Sequence, residues 1–346
     1  RVMAALEEAE KPLICIGGGV FAAHAENEIR ELADLMQIPV ITTMMGISVF
    51  PDDDQLFCGM IGTHGVKMAN AAVNECDVLF LVGARVGDRA VKTPLALEKT
   101  TKIIHIDIDP AEIGKNIGAD LPLVGDAKLV LQQMTELAKP MKHDEWIAHI
   151  KTLGGERKYV EPAKGTVNPR VFIDRLAKKM PANVTVVADV GQNQIWTCTE
   201  YKFRKEGRLL TSGGMGTMGY SVPAAIGAKM ADNSRATVAI CGDGAFQMSF
   251  MELATAVQFG VDIKVVVMTN NRLGMVRELQ TNGYHDRQTA VFLDGSPDFI
   301  KLAEAYSIPA MRVYDDDTME KGIEMLAEHK GICLVEVVVD KDMPTL

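Results

Sequence analysis

Two polar turns within residues 240–271 have the composition of a metal–phosphate site. The segment reads ICGDGAFQMSFMELATAVQFGVDIKVVVMTNN: an apolar strand pattern ends at Gly-Asp-Gly, a helical stretch follows, and a second strand pattern ends at Asn-Asn. Because the carboxyl ends of parallel strands meet at one edge of a sheet, we expect Asp243 and one asparagine, Asn270 or Asn271, to lie together. Carboxylate and amide oxygens suit Mg²⁺, which commonly completes its octahedral shell with the phosphates of a ligand.

The glycines on either side of Asp243 fit the phosphate part of such a site. Gly242 and Gly244 have no side chains, so backbone N–H groups can approach a phosphate there. The amino terminus of the helix that follows would favour the negative charge. A Gly-Asp-Gly turn alone is a weak signal, but a turn, a helix, a strand and an asparagine pair in this order predict a diphosphate bound through Mg²⁺.

Short apolar runs alternate with helical stretches along the whole chain. This alternation predicts an α/β fold made of two doubly wound parallel-sheet domains. We expect a nucleotide-binding-type domain over residues 1–138, a polar linker with one short helix over 139–167, and a diphosphate-Mg-binding domain over 168–346. The strand patterns lie at residues 12–19, 39–45, 77–85, 102–109, 121–126, 184–191, 208–212, 236–242, 263–270 and 333–340. The helical patterns lie at residues 1–10, 22–36, 169–180, 220–231, 249–259 and 297–307.

Composition argues against several classes of function. The formal net charge is −10, which disfavours nucleic acid and anionic membrane surfaces as partners. No apolar run reaches the length of a bilayer span and no signal-peptide pattern opens the chain, so we expect no membrane partner. The six cysteines are scattered without metal-ligand spacing, which predicts buried, reduced thiols and a cytoplasmic location.

Three further motifs lie in the second predicted domain. Residues 189–196 read DVGQNQIW, residues 211–219 read TSGGMGTMG, and residues 273–277 read LGMVR. In sequence and in order they resemble motifs of the acetolactate synthases, a family of thiamine-diphosphate-dependent enzymes. With the Gly-Asp-Gly and Asn-Asn turns they extend over essentially the whole second domain. The resemblance implies that thiamine diphosphate and Mg²⁺ bind there.

The register of LGMVR implies which asparagine binds the metal. In the family the ligand stands three positions before that leucine, which here is Asn270, and a carbonyl ligand corresponds to the main chain of Arg272. With Asp243 these form the implied Mg²⁺ set, and Asn271 is the alternative ligand.

The same motifs imply further contacts with thiamine diphosphate. Met218 corresponds to the residue that supports the bent cofactor, and Gly216 to the carbonyl that accepts its amino group. Gln192 and Asn193 correspond to diphosphate contacts, although Asn193 stands where a histidine is usual. The complete implied set of cofactor-binding residues is Gln192, Asn193, Gly216, Met218, Gly242, Asp243, Gly244, Ala245, Asn270, Gly274 and Met275.

The first predicted domain is similar to the FAD-contacting loops of the same family. The motifs are GGG at 17–19, TTMMG at 42–46, GTHG at 62–65, GARVGDR at 83–89 and HIDIDPAEIGKN at 105–116. Each stands at a strand end or in an adjacent loop, where backbone amides and arginines can meet a dinucleotide's phosphates and aspartates its ribose or adenine. The implied FAD contacts are Gly17, Gly18, Gly19, Thr43, Met44, Gly62, His64, Gly83, Arg85, Asp88, Arg89, Asp107, Ile108 and Asp126.

The resemblance also implies a reaction and an assembly. The complete enzyme would decarboxylate pyruvate on thiamine diphosphate and condense the product with a second 2-keto acid, a step of branched-chain amino acid biosynthesis, without net redox use of the flavin. A homodimer or homotetramer is expected, and a small regulatory subunit often accompanies the family. The catalytic glutamate of the family's amino-terminal pyrimidine-binding domain has no counterpart here. We therefore expect that domain to be absent and the chain alone to be inactive.

Leu279 bears on substrate specificity. It stands where the family often has a tryptophan that favours 2-oxobutyrate as the acceptor. A smaller side chain predicts weak discrimination between methyl and ethyl acceptors, because one methylene contributes only about 1–3 kcal/mol.

Three alternatives compete with this interpretation. One is another thiamine-diphosphate carboligase or decarboxylase, such as a glyoxylate carboligase. Another is a non-catalytic nucleotide-binding regulatory module. An NAD-dependent dehydrogenase fits poorly, because the GGG turn lacks the GxGxxG spacing of dinucleotide-binding loops.

Overall fold

A computed structural model describes residues 1–155 and 159–346, which form two compact units. Unit 1 comprises Arg1–Arg157 and unit 2 comprises Lys158–Leu346. Each unit contains a six-stranded sheet whose neighbouring strands pair in parallel, flanked by helices. The predicted α/β class with two doubly wound parallel-sheet domains is confirmed. The domain limits at residues 138 and 168 stay predictions.

Unit 1 is built on strands whose residues point alternately into two apolar layers. In the central strand, Ile14 and Ile16 pack in one layer while Leu13 and Cys15 pack in the other, because successive residues of a strand face opposite sides. The strands are β1 (Pro12–Ile16), β2 (Val40–Thr42), β3 (Phe57–Met60), β4 (Val78–Val82), β5 (Lys102–Asp107) and β6 (Leu121–Val124). The helices are α1 (Val2–Glu7), α2 (Gly19–Ala22), α3 (Glu26–Met36), α4 (Lys67–Glu75), α5 (Pro94–Leu97), α6 (Ala127–Leu137) and α7 (Asp144–Leu153), with a 3₁₀ turn at Met44–Gly46.

The strand order of unit 1 is β3-β2-β1-β4-β5-β6. The chain winds outward from β1 on one side and from β4 on the other, so the direction of winding reverses between these two strands. Open parallel sheets bind ligands at the carboxyl ends of the strands at such a reversal. Gly17 follows β1 and Gly83 follows β4, so two glycine motifs meet at this point.

The short helix predicted inside the linker packs as part of unit 1. This helix, α7, lies against α4, and Trp146 on it is only 4% exposed within the apolar layer that contains Leu13 and Cys15. The indole Nε1 of Trp146 donates to the carbonyl oxygen of Pro12 at 3.0 Å. The helix therefore contributes to the core of unit 1.

Unit 2 repeats the plan with a different strand order, β11-β12-β10-β9-β7-β8. Its strands are β7 (Thr185–Ala188), β8 (Arg208–Thr211), β9 (Thr237–Gly242), β10 (Lys264–Thr269), β11 (Ala310–Val313) and β12 (Cys333–Val338). Its helices are α8 (Pro169–Lys179), α9 (Gln192–Glu200), α10 (Ser221–Ala231), α11 (Asp243–Phe246), α12 (Leu253–Gln258), α13 (Gly274–Gly283), α14 (Phe299–Ala305) and α15 (Asp316–Glu328), with a 3₁₀ turn at Phe250–Glu252. Here the winding reverses between β7 and β9, next to β10.

The helical stretch predicted at residues 249–259 is present as the 3₁₀ turn and α12, but it does not begin at the Gly-Asp-Gly turn. A separate single turn, α11, begins there, and Ser249 with a φ of −144° prevents it from continuing into the next turn. A helix of four residues has few aligned peptide dipoles. Its amino terminus therefore attracts an anion less strongly than the amino terminus of a long helix would.

The six cysteines are buried and unpaired, which confirms the predicted free thiols. Burial raises the pKa of the Cys15, Cys58, Cys76 and Cys198 thiols to about 12. In the part of the chain that the structure describes, no helix combines the length and apolarity needed to cross a bilayer.

Candidate functional site

A cavity of about 630 Å³ opens at the carboxyl edge of the unit 2 sheet, where the winding reverses. The ends of β7, β9 and β10 and the loops that follow them form its walls. The lining residues are Val190, Gly191, Gln192, Asn193, Trp196, Met218, Gly242, Asp243, Gly244, Ala245, Met268, Asn270, Arg272, Leu273, Gly274, Met275, Val276 and Val339.

Asp243 is the acidic group of this cavity and is only 2% exposed. Its Oδ2 accepts backbone N–H groups from Asn270 at 3.1 Å and from Asn271 at 2.7 Å, and its Oδ1 accepts from Gly244 at 2.8 Å. Burial raises the pKa of Asp243 to about 6 despite these hydrogen bonds, because desolvation disfavours the charged form. A cation at this carboxylate would offset that cost.

The two asparagines after β10 have different positions. Asn270 lines the cavity, whereas Asn271 is exposed and has the left-handed φ of +54°. The Oδ1 of Asn270 accepts the backbone N–H of Arg272 at 3.1 Å, and its Nδ2 donates to Gln192 Oε1 at 3.3 Å. Asn271 instead shapes the turn that places the backbone of this loop against Asp243.

The donor set fits a hard divalent cation. Asp243, Asn270 and Arg272 all line the cavity, and their carboxylate, amide and main-chain oxygens are ligands of the type that Mg²⁺ prefers. Among the described residues, no group of three or more His, Cys, Asp or Glu side chains could hold a metal. An ion here would therefore depend on these few oxygens together with those of a bound phosphate.

A second segment braces the backbone at Arg272. Arg272 forms an isolated antiparallel bridge with Phe292, and its guanidinium lies 4.6 Å from the centre of the Phe292 ring. Its Nη1 also pairs with Asp294 Oδ1 at 2.9 Å. These contacts hold the loop after β10 in place beside the cavity.

Gln192 and Asn193 are both buried, and both use their amide nitrogens within the protein. Asn193 Nδ2 donates to the carbonyl oxygens of Asp189 and Ile240 at 2.8 and 3.2 Å, which ties the ends of β7 and β9 together. Gln192 Nε2 has three acceptors, and the nearest is the carbonyl oxygen of Met343 at 2.9 Å. Each residue lines the cavity, but in this arrangement neither directs its amide N–H groups into it.

The loop that carries Gly216 and Met218 is held by Asp189. The buried Asp189 carboxylate accepts the backbone N–H of Gly219 at 3.0 Å and of Ser221 at 2.7 Å. Met218 thereby reaches the cavity wall. Gly216 has the left-handed φ of +66° and lies outside the lining residues.

The structure therefore brings together ten of the eleven cofactor-binding residues implied by the sequence, with Gly216 as the exception. Leu279, the implied specificity residue, is 62% exposed on α13 and does not line the cavity. Sequence reasoning missed the apolar part of the lining, although strand ends and the residues beside the motifs could have indicated it. The missed lining residues are Val190, Gly191, Trp196, Met268, Leu273, Val276 and Val339.

In unit 1 several glycines of the implied FAD site allow the loop after β1 to pack closely against the loop after β4. The backbone N–H of Gly19 donates to Gly83 O at 3.0 Å, and Gly83 has a φ of +57°. A Cβ on Gly17 would lie 2.1 Å from Gly83 O, and one on Gly18 would lie 3.1 Å from Met45 Cβ. Glycine is therefore required for packing at this crossing, whatever the loops bind.

The other implied FAD contacts lie around the same carboxyl edge, at or after the strand ends. Asp126 has a structural role, since its carboxylate caps α6 by accepting the backbone N–H of Leu129. Gly62 exchanges two hydrogen bonds with Asn70, each 2.9 Å long. Arg85, Asp88, Arg89 and Ile108 are exposed, whereas Thr43, Met44, His64 and Asp107 are partly buried.

Comparison with known protein families gives a match to each unit. Residues 189–337 match the thiamine pyrophosphate enzyme C-terminal TPP binding domain, and residues 1–134 match the thiamine pyrophosphate enzyme central domain. The first of these matches contains the cavity wall formed by Asp243 and Asn270.

Curated relatives cover nearly the whole chain. It is 40% identical over 346 aligned positions to the probable acetolactate synthase large subunit of Methanocaldococcus jannaschii, which covers 97% of this chain and 58% of that protein. It is 35% identical to the acetolactate synthase large subunit of Lactococcus lactis, covering 99% of this chain and 60% of that one. It is 39% identical to the subunit of Corynebacterium glutamicum, covering 97% and 55%. The chain thus spans somewhat more than half the length of these relatives.

Proposed function

Because the chain belongs to the thiamine pyrophosphate enzymes, we propose that it is the part of an acetolactate synthase that holds the diphosphate end of thiamine diphosphate through Mg²⁺. The observation that carries this proposal is the cavity wall where the Asp243 carboxylate, the Asn270 amide and the backbone of Arg272 meet. Asp243, Asn270 and the Arg272 carbonyl would bind the metal.

The remaining residues of the cavity would orient the cofactor. Gly242, Gly244 and Gly274 leave the backbone uncovered by side chains on the diphosphate side, while Met218 and Met275 supply an apolar surface for the rings. When bound, thiamine diphosphate would supply an electron sink for the decarboxylation of a 2-keto acid. The walls of the cavity would keep the reacting groups away from bulk water.

In the full-length protein we propose that pyruvate is decarboxylated and joined to a second 2-keto acid. The names and identities of the relatives support this choice over glyoxylate carboligase, the other thiamine-dependent candidate. Comparing pyruvate with glyoxylate as substrates of the full-length protein tests it. Acetolactate formation that requires both thiamine diphosphate and Mg²⁺ is expected, and a preference for glyoxylate would contradict the assignment.

We propose that FAD binds unit 1 at the crossing of the glycine loops, where the sheet winding reverses. Neutral backbone amides and the exposed Arg85 and Arg89 would face the pyrophosphate there. The visible absorbance of the purified protein would reveal bound oxidised flavin. A cytoplasmic location, a homodimer or homotetramer and a small regulatory subunit complete the proposal, and the free buried thiols support a reducing compartment.

Asn270 and Asn271 offer a matched pair of variants for the metal site. We expect Asn270→Ala to weaken Mg²⁺-dependent binding of thiamine diphosphate by about 100-fold or more, because loss of outer-shell partners alone typically costs about 10–100-fold. Asn271→Gly should change it by less than about threefold, since glycine accepts the φ of +54° and Asn271 does not line the cavity. Calorimetric titration with and without Mg²⁺ measures both. A larger loss in the Asn271 variant would assign the ligand to that residue instead.

Leu279 yields a prediction about acceptor choice in the full-length protein. Its side chain is small and exposed on α13, so we expect less than about tenfold preference for 2-oxobutyrate over pyruvate as acceptor. Leu279 does not line the cavity, so the expectation that Leu279→Trp increases that preference rests on its correspondence with the family's tryptophan. Competition between the two acceptors, with both products quantified, gives the ratio. A strong preference already present in the unsubstituted protein would contradict the prediction.

A further inference from the structure

Gln192 connects the proposed metal ligand Asn270 to the carboxy-terminal segment and to α13. On one side its Oε1 accepts the Nδ2 hydrogen of Asn270 at 3.3 Å. On the other side its Nε2 lies 2.9 Å from Met343 O and 3.2 Å from both Glu278 Oε2 and Thr345 Oγ1. The Gln192 side chain therefore has a partner at each end of its amide.

The orientation of the Gln192 amide follows from these partners. An amide nitrogen donates hydrogen bonds through two hydrogens and accepts none. It therefore suits a position that faces a carboxylate, a carbonyl and a hydroxyl oxygen. The amide oxygen in that position would face the Glu278 carboxylate and the Met343 carbonyl and be repelled by both. Glu278 thus keeps the oxygen of Gln192 directed towards Asn270.

The position of Gln192 is fixed as tightly as its orientation. Gln192 and Thr345 are only 4% and 3% exposed. A Cβ on Gly274 would lie 1.9 Å from Gln192 Oε1, so the amide oxygen packs directly over that glycine. Thr345 donates its backbone N–H to Glu278 Oε2 at 3.1 Å and its hydroxyl to the same oxygen, which holds the carboxylate in turn.

We propose that Glu278, acting through Gln192, is a positioning residue for Asn270. Gln192 accepts the amide hydrogen of Asn270, while the backbone N–H of Arg272 donates to the Asn270 oxygen at 3.1 Å. The two contacts together fix the orientation of the amide, and the remaining lone pair of that oxygen can bind the metal. Glu278 does not line the cavity and would touch neither metal nor cofactor. This inference rests on the proposed function, because it assumes that Asn270 binds the metal.

An Asn270→Asp background separates positioning from general structural support. Aspartate presents an oxygen to the metal whichever way its carboxylate turns, and it has no hydrogen to donate to Gln192 Oε1. An amide held by Glu278 with its oxygen towards position 270 therefore gives aspartate no support that Glu278→Met could remove. We therefore expect Glu278→Met to weaken Mn²⁺ binding at saturating thiamine diphosphate by about 10–100-fold in the otherwise unsubstituted chain. In the Asn270→Asp background the same change should cost no more than about twofold, the usual limit for independent sites. Electron paramagnetic resonance of free Mn²⁺ measures the affinity directly.

Two further variants test whether a loss of Mn²⁺ affinity comes from misfolding of the carboxy-terminal segment. Thr345→Val removes one partner of Gln192 and one of Glu278, and should give a smaller loss that also disappears in the Asn270→Asp background. Lys341→Ala changes an exposed side chain of the same segment and should have no effect. Trp196 Nε1 donates to Pro344 O at 3.1 Å, so the fluorescence emission of Trp196 reports whether the carboxy-terminal segment remains packed against α9.

The outcomes distinguish this inference from the proposed function. An unsubstituted chain that binds no Mn²⁺ in the presence of thiamine diphosphate would overturn both. Binding that Glu278→Met leaves unchanged, or weakens equally in both backgrounds, would overturn only the positioning role.

Discussion

Replacing Asp243 with asparagine should strongly weaken metal-dependent binding of thiamine diphosphate and also make the ligand-free chain harder to unfold at pH 7. Asparagine keeps an oxygen at this position but removes the charge of the proposed ligand set. We expect the affinity for the Mg²⁺ complex to fall by about 100-fold or more, since even outer-shell changes typically cost about 10–100-fold. Titration calorimetry of the variant measures this loss.

The gain in stability follows from the cost of burying the Asp243 carboxylate. Its pKa is raised to about 6 by burial, against about 3.9 in an unfolded chain. A group whose pKa rises on folding stabilises the folded state below the unfolded value, and this contribution is lost as the pH rises through the folded value. The loss amounts to roughly 3 kcal/mol between about pH 4 and pH 7.

The Asp243→Asn variant has no group that titrates at this position, so its stability can be compared with that of the unsubstituted protein at each pH. Its amide would face the backbone N–H of Gly244, and one lost hydrogen bond costs about 1 kcal/mol. We therefore expect a net gain of about 1–2 kcal/mol in the free energy of unfolding at pH 7, shrinking as the pH falls towards 4. Urea unfolding of metal-free protein across this range provides the measurement. Equal pH profiles for the two proteins would show that burial of the carboxylate carries no such cost.

Gly17→Ala should destabilise unit 1 by about 3 kcal/mol or more, because overpacking against backbone atoms is costly. The added Cβ would lie 2.1 Å from Gly83 O and 2.5 Å from Ala84 Cα. Both are main-chain atoms at the end of β4, which pairs with β1 along its whole length, so neither can move without disturbing the centre of the sheet.

A matched control and a local reporter make this prediction specific. Gly87→Ala adds the same methyl group in unit 1 where nothing lies within 4 Å, and should change stability by no more than about 0.5 kcal/mol. The chain has two tryptophans, Trp146 in unit 1 and Trp196 in unit 2. In a Trp196→Phe background, denaturant unfolding followed by fluorescence reports unit 1 alone. Similar midpoints for the two alanine variants would contradict the steric argument.

The central strands were predictable from sequence because burial on both faces gives continuous apolar runs. Residues 77–85 and 263–270 were predicted as strands, and the structure has β4 and β10 within them. The edge strands β3 and β11 were not predicted. Their sequences, FCGM and AMRV, contain a glycine and an arginine in place of a continuous apolar run. The other two edge strands, β6 and β8, are equally short and partly buried but were predicted.

Helices were predictable from sequence where a capping residue marks their start, and less so where their residues lack a helical pattern of apolar and polar positions. Asp315 caps α15 together with Thr318, which forms a capping box at the start of this helix. The helix α9 was missed, because its sequence QNQIWTCTE contains few strong helix formers and all nine residues are buried. Its helical state depends on packing that a local pattern does not contain.

The candidate site was predictable to the extent that it depends on strand ends. Asp243 and Asn270 follow adjacent strands, so topology alone brings them together. The contacts of Gln192 with Glu278, Met343 and Thr345 could not be foreseen, because they join segments 86 to 153 residues apart. Sequence motifs identified Gln192 as important and left open what its side chain touches.

The buried state of all six cysteines makes the chain a ready background for site-directed labelling. Thiolate is the reactive form of cysteine, and buried thiols whose pKa is raised to about 11 or 12 supply almost none of it at neutral pH. A single cysteine introduced at an exposed position would therefore react with a maleimide probe without prior removal of the native ones. Pairs of such probes, one in each unit, would allow distances between the units to be followed by spin or fluorescence spectroscopy as ligands are added.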